Sequence, residues 1–440
     1  MPNPALESIV SILKRILGLF QREPSPSTTQ LPPKASVAIR PAPRTVAISW
    51  QEMLDDGARI SGYILRPAPL PPVTEISGPA LLDALDKERV DHLAAHRKVI
   101  IPLRPAQWSA GDFRSFASPN VCFQLSAKDF PPSPEAGWQE TARGIRAMGG
   151  SVAVDLDIFL SSNDAPALTN HLLLGIQGAS LAAFEKTLRA IREQHPTLVI
   201  IVHGVSSWSE YRLLIAQGVS FCVGQFSTSP DDAVQAEQIS QSRLVIIDML
   251  NSLRHEGDVA NLASIAKRDP AVVLKLLEMT NSPLSGLSRR VSNIEDSLLL
   301  LGHDALYRWL SLAMFRIDAR KQRDEGLMII AASRAAFLES LADTSNREMA
   351  GELFLVGLLS LIDSLLSMPM EKILLKMHLP ERVAAVLLKN EGPYARYLLL
   401  AFAMERCQID QALSLCTLIG IDAQTMLGSY GESMAWASAR

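Results

Sequence analysis

The hydrophobic pattern of this chain changes period once, near residue 240, and that change restricts the fold more than any single motif. Between about residues 45 and 230, short β-branched runs alternate with helical stretches. The runs are RISGYILRP, RKVIIPLR, NVCFQL, SVAVDLDIF, HLLLGIQ, LVIIVHG and SFCVGQF; the helical stretches include LLDALDKERVDHLAAH and SLAAFEKTLRAIREQH. Runs apolar on both faces must be covered on both faces, which calls for a parallel sheet wrapped by helices. Seven or eight such units predict a closed β/α barrel of the TIM type. An open doubly wound sheet is the alternative, but no run leads into a glycine-rich nucleotide-binding turn. From about residue 242 the strand signals stop and helical spacing takes over. Asp269 reads as an N-cap with Pro270 at the first helical position, and Ser292 with Glu295 reads as a capping box. The second half is therefore all-α.

A chain of 440 residues exceeds one ordinary core, so two domains are expected. With 48% hydrophobic residues, 20% charged residues and a net charge of -4, it is neither a disordered chain nor a polycation, and nucleic-acid binding is not expected. Cys122, Cys222, Cys407 and Cys416 have mostly apolar flanks and read as buried reduced thiols, which fits a cytoplasmic protein. No apolar run reaches the eighteen or so residues of a membrane span. Residues 1–21 form an amphipathic helix, with Leu6, Ile9, Val10, Leu13, Ile16, Leu17 and Phe20 on one face. That face would lie on a membrane, dock on a partner or pack back on the protein. Residues 22–44 carry six prolines and read as an extended, solvated tether. The expected division is then a barrel over 45–230, a linker over 231–241 and a helical domain over 242–440.

DDGARISGYILRP, followed much later by LVIIVHGVSSWSEYRLLIAQGVSFCVGQFSTSP, resembles the first and last parts of EAL cyclic di-GMP phosphodiesterases. The resemblance implies a barrel whose strand ends carry metal-binding carboxylates. In this sequence Ile64 stands at the first metal-binding Glu, Pro102 at an Asn, and Gln124 at another Glu. Asp155 matches the first of two adjacent Asp residues, but Leu156 follows it. Gly175-Ile176-Gln177 replaces Lys-Ile-Asp, while His203 and Ser206 replace two late Glu residues. Metal-dependent phosphodiester hydrolysis needs several oxygen ligands. Asp155, Asp157 and His203 do not make a set, and His92 with His96, spaced for a helical metal pair, lack a third ligand and read as a solvated face.

IAKRDPAVVLKLLEMTNSPLSGLSRRVSNIEDSLLLLGHDALYRWLSL, continued by ELFLVGLLSLIDSLL, resembles HDOD domains, relatives of the HD phosphohydrolases without their metal ligands. Matching positions include Asp269, Pro270, Lys275, Asn281, Ser282, Gly302, Arg308, Trp309, Gly357 and Ser360. Where HD enzymes carry His-Asp, this chain has Ser360-Leu361. Asn281-Ser282 should end a helix, and Arg308-Trp309 either forms an exposed stacking surface or a covered Trp.

Together these readings predict a two-domain signalling protein with no catalytic or cofactor site and no bound metal, acting through protein partners. Weak cyclic di-GMP binding at the barrel is the small-molecule contact left open. The rivals are an active phosphodiesterase, a non-hydrolysing receptor, and an adaptor recruited to membrane by residues 5–20.

Overall fold

The computed structural model describes residues 43–126, 134–161, 163–176, 181–231, 233, 239–255, 257–281, 291, 293–317, 322–343 and 345–438. The N-terminal apolar face, most of the proline-rich tether, Gln177, Ser282 and Ser292 lie outside them.

Eight strands close a barrel in sequence order: β1 (Val46–Leu54), β2 (Ile60–Pro69), β3 (Lys98–Pro102), β4 (Val121–Leu125), β5 (Ser151–Asp155), β6 (His171–Gly175), β7 (Val199–Val205) and β8 (Phe221–Gly224). The predicted runs correspond to β2 through β8, which pair in parallel. VAISWQEML is not among the predicted runs. It becomes β1, antiparallel to both β2 and β8, so the sheet is not wholly parallel. A hairpin makes this compact: Asp55 Oδ1 accepts from the amides of Gly57 and Arg59, and Ala58 takes a positive φ of 61°. A second departure lies in LLDALDKERVDHLAAH, which forms two helices, Gly78–Lys87 and Val90–Ala94, because Arg89 between them is left-handed.

Side chains alternate in and out along each strand. Met53, Ile64, Ile100, Cys122, Ala153, Leu173, Ile201 and Val223, one per strand, point inward and form a sealed apolar layer no more than 2% exposed. Beneath it, His171 contacts Lys98 Nζ (3.2 Å) and Cys122 Sγ (3.3 Å). Burial, then the nearby Lys98 charge, pull the His171 pKa down to about 4. All four cysteines are unpaired, three of them buried and Cys407 half-buried.

In the helical half, Gln322–Ser340 packs against Arg347–Leu359 and Ala423–Ser438. Gly357 allows the first contact, since a Cβ there would lie 2.6 Å from Ala335 Cα. ELFLVGLLSLIDSLL is broken at Ser360-Leu361 into Arg347–Leu359 and Ile362–Leu366. Contrary to the expectation from run length, residues 347–366 reach the length and hydropathy (1.8) of a span, but 72% of that window is buried inside the protein. Asp269 caps its helix through the Ala271 amide at 2.7 Å, as predicted. The other cap is Asn293 rather than Ser292: the helix Ile294–Leu301 starts one residue later, and Asn293 accepts from the Asp296 amide.

One apolar cluster runs through both halves. The strand β1 has no crossover helix, so its outer face must be covered from elsewhere. The barrel's own helix Gly78–Lys87 and helices of the second half supply the cover: Ala395–Glu405 packs on β1, and Trp50 is 1% exposed. Polar contacts rim this seam. Ser364 Oγ donates to Thr228 O at 2.7 Å, and Arg323 donates to Ser364 O, lies over the Trp208 ring and pairs with Asp231 at 3.6 Å. Asp231 also holds Arg212 at 2.9 Å. At the tether's end, Arg44 is not solvated but exchanges two backbone hydrogen bonds with Gln424 and pairs with Glu88 at 3.1 Å.

Candidate functional site

Barrel chemistry belongs at the carboxyl ends of the parallel strands. By alternation from the sealed layer, that end presents Gln51, Arg66, Pro102, Gln124, Asp155, Gly175 and His203. Ile64 is not at the mouth; it is part of the sealed layer, paired in register with Ile100.

Asp155 is committed locally: Oδ2 accepts from Ser126 Oγ at 2.7 Å and Oδ1 from the Ile158 amide at 3.1 Å. It thereby caps the short helix Leu156–Ser161, on which Asp157 is exposed. His203 packs over Gly175, where an added Cβ would lie 2.9 Å from the ring. Burial, with Arg66 second, keeps His203 below the usual histidine range and hence neutral near pH 7. Ser206 serves the next helix, sharing Glu210 Oε2 through its amide (2.8 Å) and hydroxyl (2.9 Å). Gln124 leaves a buried Oε1 without a partner.

The residue that the sequence reading missed is Arg66, whose Nε donates to Gln51 Oε1 at 2.9 Å. A cation among neutral amides and one capped carboxylate is unsuited to a hard divalent ion, which demands several free oxygens. Among the described residues no three His, Cys, Asp or Glu side chains converge. His92 and His96 do not share a helical face, because Val90–Ala94 ends before His96, and the His92 ring contacts Arg89.

In the helical half, Ser360 Oγ donates to Gly357 O at 2.7 Å and accepts from Arg334 Nη1 at 2.5 Å. Arg334 grips Glu405 with two bonds of 2.8 and 2.7 Å and lies over Phe402. A guanidinium, buried at 3% exposure, thus stands at the position of the HD pair. These residues do not fit a metal ion, which would need anionic or imidazole donors at that point. Arg334 and Glu405 escaped the sequence reading because they lie 26 and 45 residues from Ser360; only the missing His-Asp was visible.

The remaining predicted positions are structural. Asn281 ends its helix and donates to Leu277 O and Val291 O while accepting from the Val291 amide at 2.7 Å, pinning both ends of the intervening segment. Gly302 joins two helices at φ 71°. Lys275 pairs with Glu278 on the surface. Trp309 is 5% exposed, which rules out an exposed stacking surface, and Arg308 instead binds Glu339 twice and covers Phe354.

An eight-stranded closed barrel followed by a helical region is what this fold defines. Residues 240–387 match the family model of the HDOD domain. The chain is 26% identical over 54% of its length to the Bacillus subtilis protein described as "Uncharacterized protein YuxH", covering 58% of that protein. It is 24% identical over 53% of its length to the Vibrio cholerae "Cyclic di-GMP phosphodiesterase CdgJ", covering 54% of that protein. The chain therefore spans little more than half of these curated relatives. Among solved structures, a standalone EAL protein from Vibrio cholerae O395 matches at 17% identity and a TM-score of 0.31, over 41% of this chain and 89% of that one. An EAL domain protein from Listeria monocytogenes matches at 11% identity and 0.31, over 42% and 87%. The barrel assignment rests on the strand order itself.

Proposed function

We propose that this chain is a cytoplasmic, non-catalytic signal-transduction regulator acting through protein contacts of its HDOD region, with the barrel as the regulatory module. The observation that carries this reading is the Arg334 guanidinium bonded to Ser360 at the HD position. Packing and an internal ion pair have taken over the place where a hydrolase needs ligands. The mouth supports the same reading, since Asp155 is spent on a helix cap and Arg66 supplies positive charge. The test is turnover of cyclic di-GMP by the purified chain with Mg²⁺ or Mn²⁺. No linear dinucleotide should form; metal-dependent hydrolysis lost on Asp155→Ala would overturn the proposal.

A cyclic di-GMP receptor is the second reading, favoured by the cyclic di-GMP phosphodiesterase among the chain's relatives and by Arg66 at the mouth. Calorimetry separates the two: saturable binding weakened by Arg66→Ala supports a receptor, and no heat of binding supports a regulator governed by protein contacts alone. Recruitment to membrane by residues 6–20 would appear as vesicle co-sedimentation lost in a chain beginning at residue 43.

A further inference from the structure

His255 and His378 stand 123 residues apart in sequence and meet on the surface of the helical half. His255 caps the carboxyl end of the helix Gln241–Arg254, and His378 follows the short helix Met370–Leu374. Both backbones are fixed. The His255 amide donates to Asn251 O (3.3 Å) and Ser252 O (3.1 Å), and the Gly257 amide closes the same turn on Ser252 O at 2.9 Å. An added Cβ at Gly257 would lie 2.8 Å from Ser252 O, so glycine lets that turn close. Asn251 then ties the two segments together: its Oδ1 accepts from the His378 amide at 2.8 Å, and its Nδ2 donates to Lys376 O at 2.9 Å.

The two rings are held with His255 Nε2 3.4 Å from His378 Nδ1, centroids 5.3 Å apart and planes at 71°. That nitrogen spacing is longer than the about 2.7–3.2 Å of a sound N–H···acceptor bond, and a straight bond of such length would spread the centroids to about 5.7 Å. A shared metal fits both distances. Two Zn–N bonds of about 2.0–2.1 Å at the tetrahedral angle put the nitrogens about 3.3–3.4 Å apart and the ring centroids about 5.2 Å apart. Nitrogen spacing and ring tilt are separate quantities, and each has the value of a tetrahedral edge. Both histidines are exposed, so water can complete the coordination shell.

We propose that His255 and His378 form a two-histidine site for a borderline divalent cation of the Zn²⁺ class, which clips the end of the helix Gln241–Arg254 to the segment before the helix Glu381–Lys389. Imidazole donors select such ions over Mg²⁺ and Ca²⁺, which demand oxygen. Among the described residues no third His, Cys, Asp or Glu side chain completes the set, so the site is open and exchangeable and not a closed structural centre. None of its residues belongs to the barrel mouth or to the Ser360 position, so the proposal stands independently of the regulatory reading.

The experiment is calorimetric titration of the untagged, EDTA-treated full chain with Zn²⁺, using Mg²⁺ as the oxygen-seeking control. Zn²⁺ should bind saturably and Mg²⁺ should not. His255→Asn and His378→Asn should each weaken Zn²⁺ binding by at least about tenfold, since losing even a partner that supports a ligand costs that much. His92→Asn, which removes a surface imidazole held by Arg89, should bind as the parent chain does. Cu²⁺ in place of Zn²⁺ should show nitrogen hyperfine structure from two imidazoles by electron paramagnetic resonance, reduced to one in either variant, with circular dichroism confirming each fold. No saturable Zn²⁺ binding, equal binding of Mg²⁺, affinity unchanged in either variant, or equal weakening by His92→Asn would overturn the site.

Discussion

Arg334 takes both oxygens of Glu405 and the hydroxyl of Ser360, so one side chain closes the position that a metal centre would occupy. The neighbouring Glu52 has the opposite problem, because burial lifts its carboxyl to about 7 against an ordinary value of 4.5. A raised carboxyl pKa gives stability that is present below about 4.5 and lost as pH climbs through about 7. Glu52→Gln should therefore raise stability at pH 8 by on the order of 1–2 kcal/mol and leave it unchanged at pH 4, read by urea denaturation at both values. Gly357→Ala tests the helix contact from the opposite direction. Its Cβ would meet Ala335 backbone at 2.6 Å, and a loss of about 3 kcal/mol is expected in the same assay. The missing ligands at Ser360-Leu361 were legible in sequence because they are adjacent residues in a helical frame. The replacing ion pair was not, since its members meet only through the packing of three helices.

At the scale of elements, the helical half follows local rules closely. Asp269 and Pro270 start their helix where N-cap and first-turn preferences place them, and Asn281 stops it. Asn281→Ala removes the bonds that pin residue 291 to the helix end, at a cost of about 2 kcal/mol. Urea denaturation of the variant against the parent chain reads that loss. The strand that escaped sequence reading, β1, shows where local rules stop. Its inner residues Gln51 and Met53 and outer residues Trp50 and Glu52 alternate imperfectly in polarity, because the outer face meets helices of both halves instead of solvent. Likewise the 347–366 stretch has the hydropathy of a span only because the core of the helical half surrounds it.

For the molecule as a whole, a shared apolar cluster and the Asp231 clamp join barrel and helices. Arg323 contributes a bond to Ser364 O, the pair with Asp231 and the contact with Trp208. Arg323→Ala should lower stability by about 2–3 kcal/mol and split the single urea transition into two, followed by tryptophan fluorescence and far-ultraviolet dichroism together. A single unchanged transition would show that the apolar cover of β1 suffices alone. Glu88, raised to about 7 by burial despite Arg44, belongs to the same seam and should steepen the loss of stability between about pH 5 and 7.

Periodicity and caps in the sequence by themselves determined the two architectures and their order along the chain. Those properties depend on near neighbours and on residue type. Only tertiary structure decided that β1 closes the barrel in reverse, that its outer face is covered by the second half, and that Arg334, Glu405 and Glu52 meet at one cavity. Such features arise when segments hundreds of residues apart bury surface together, and no local pattern encodes which distant surface that is.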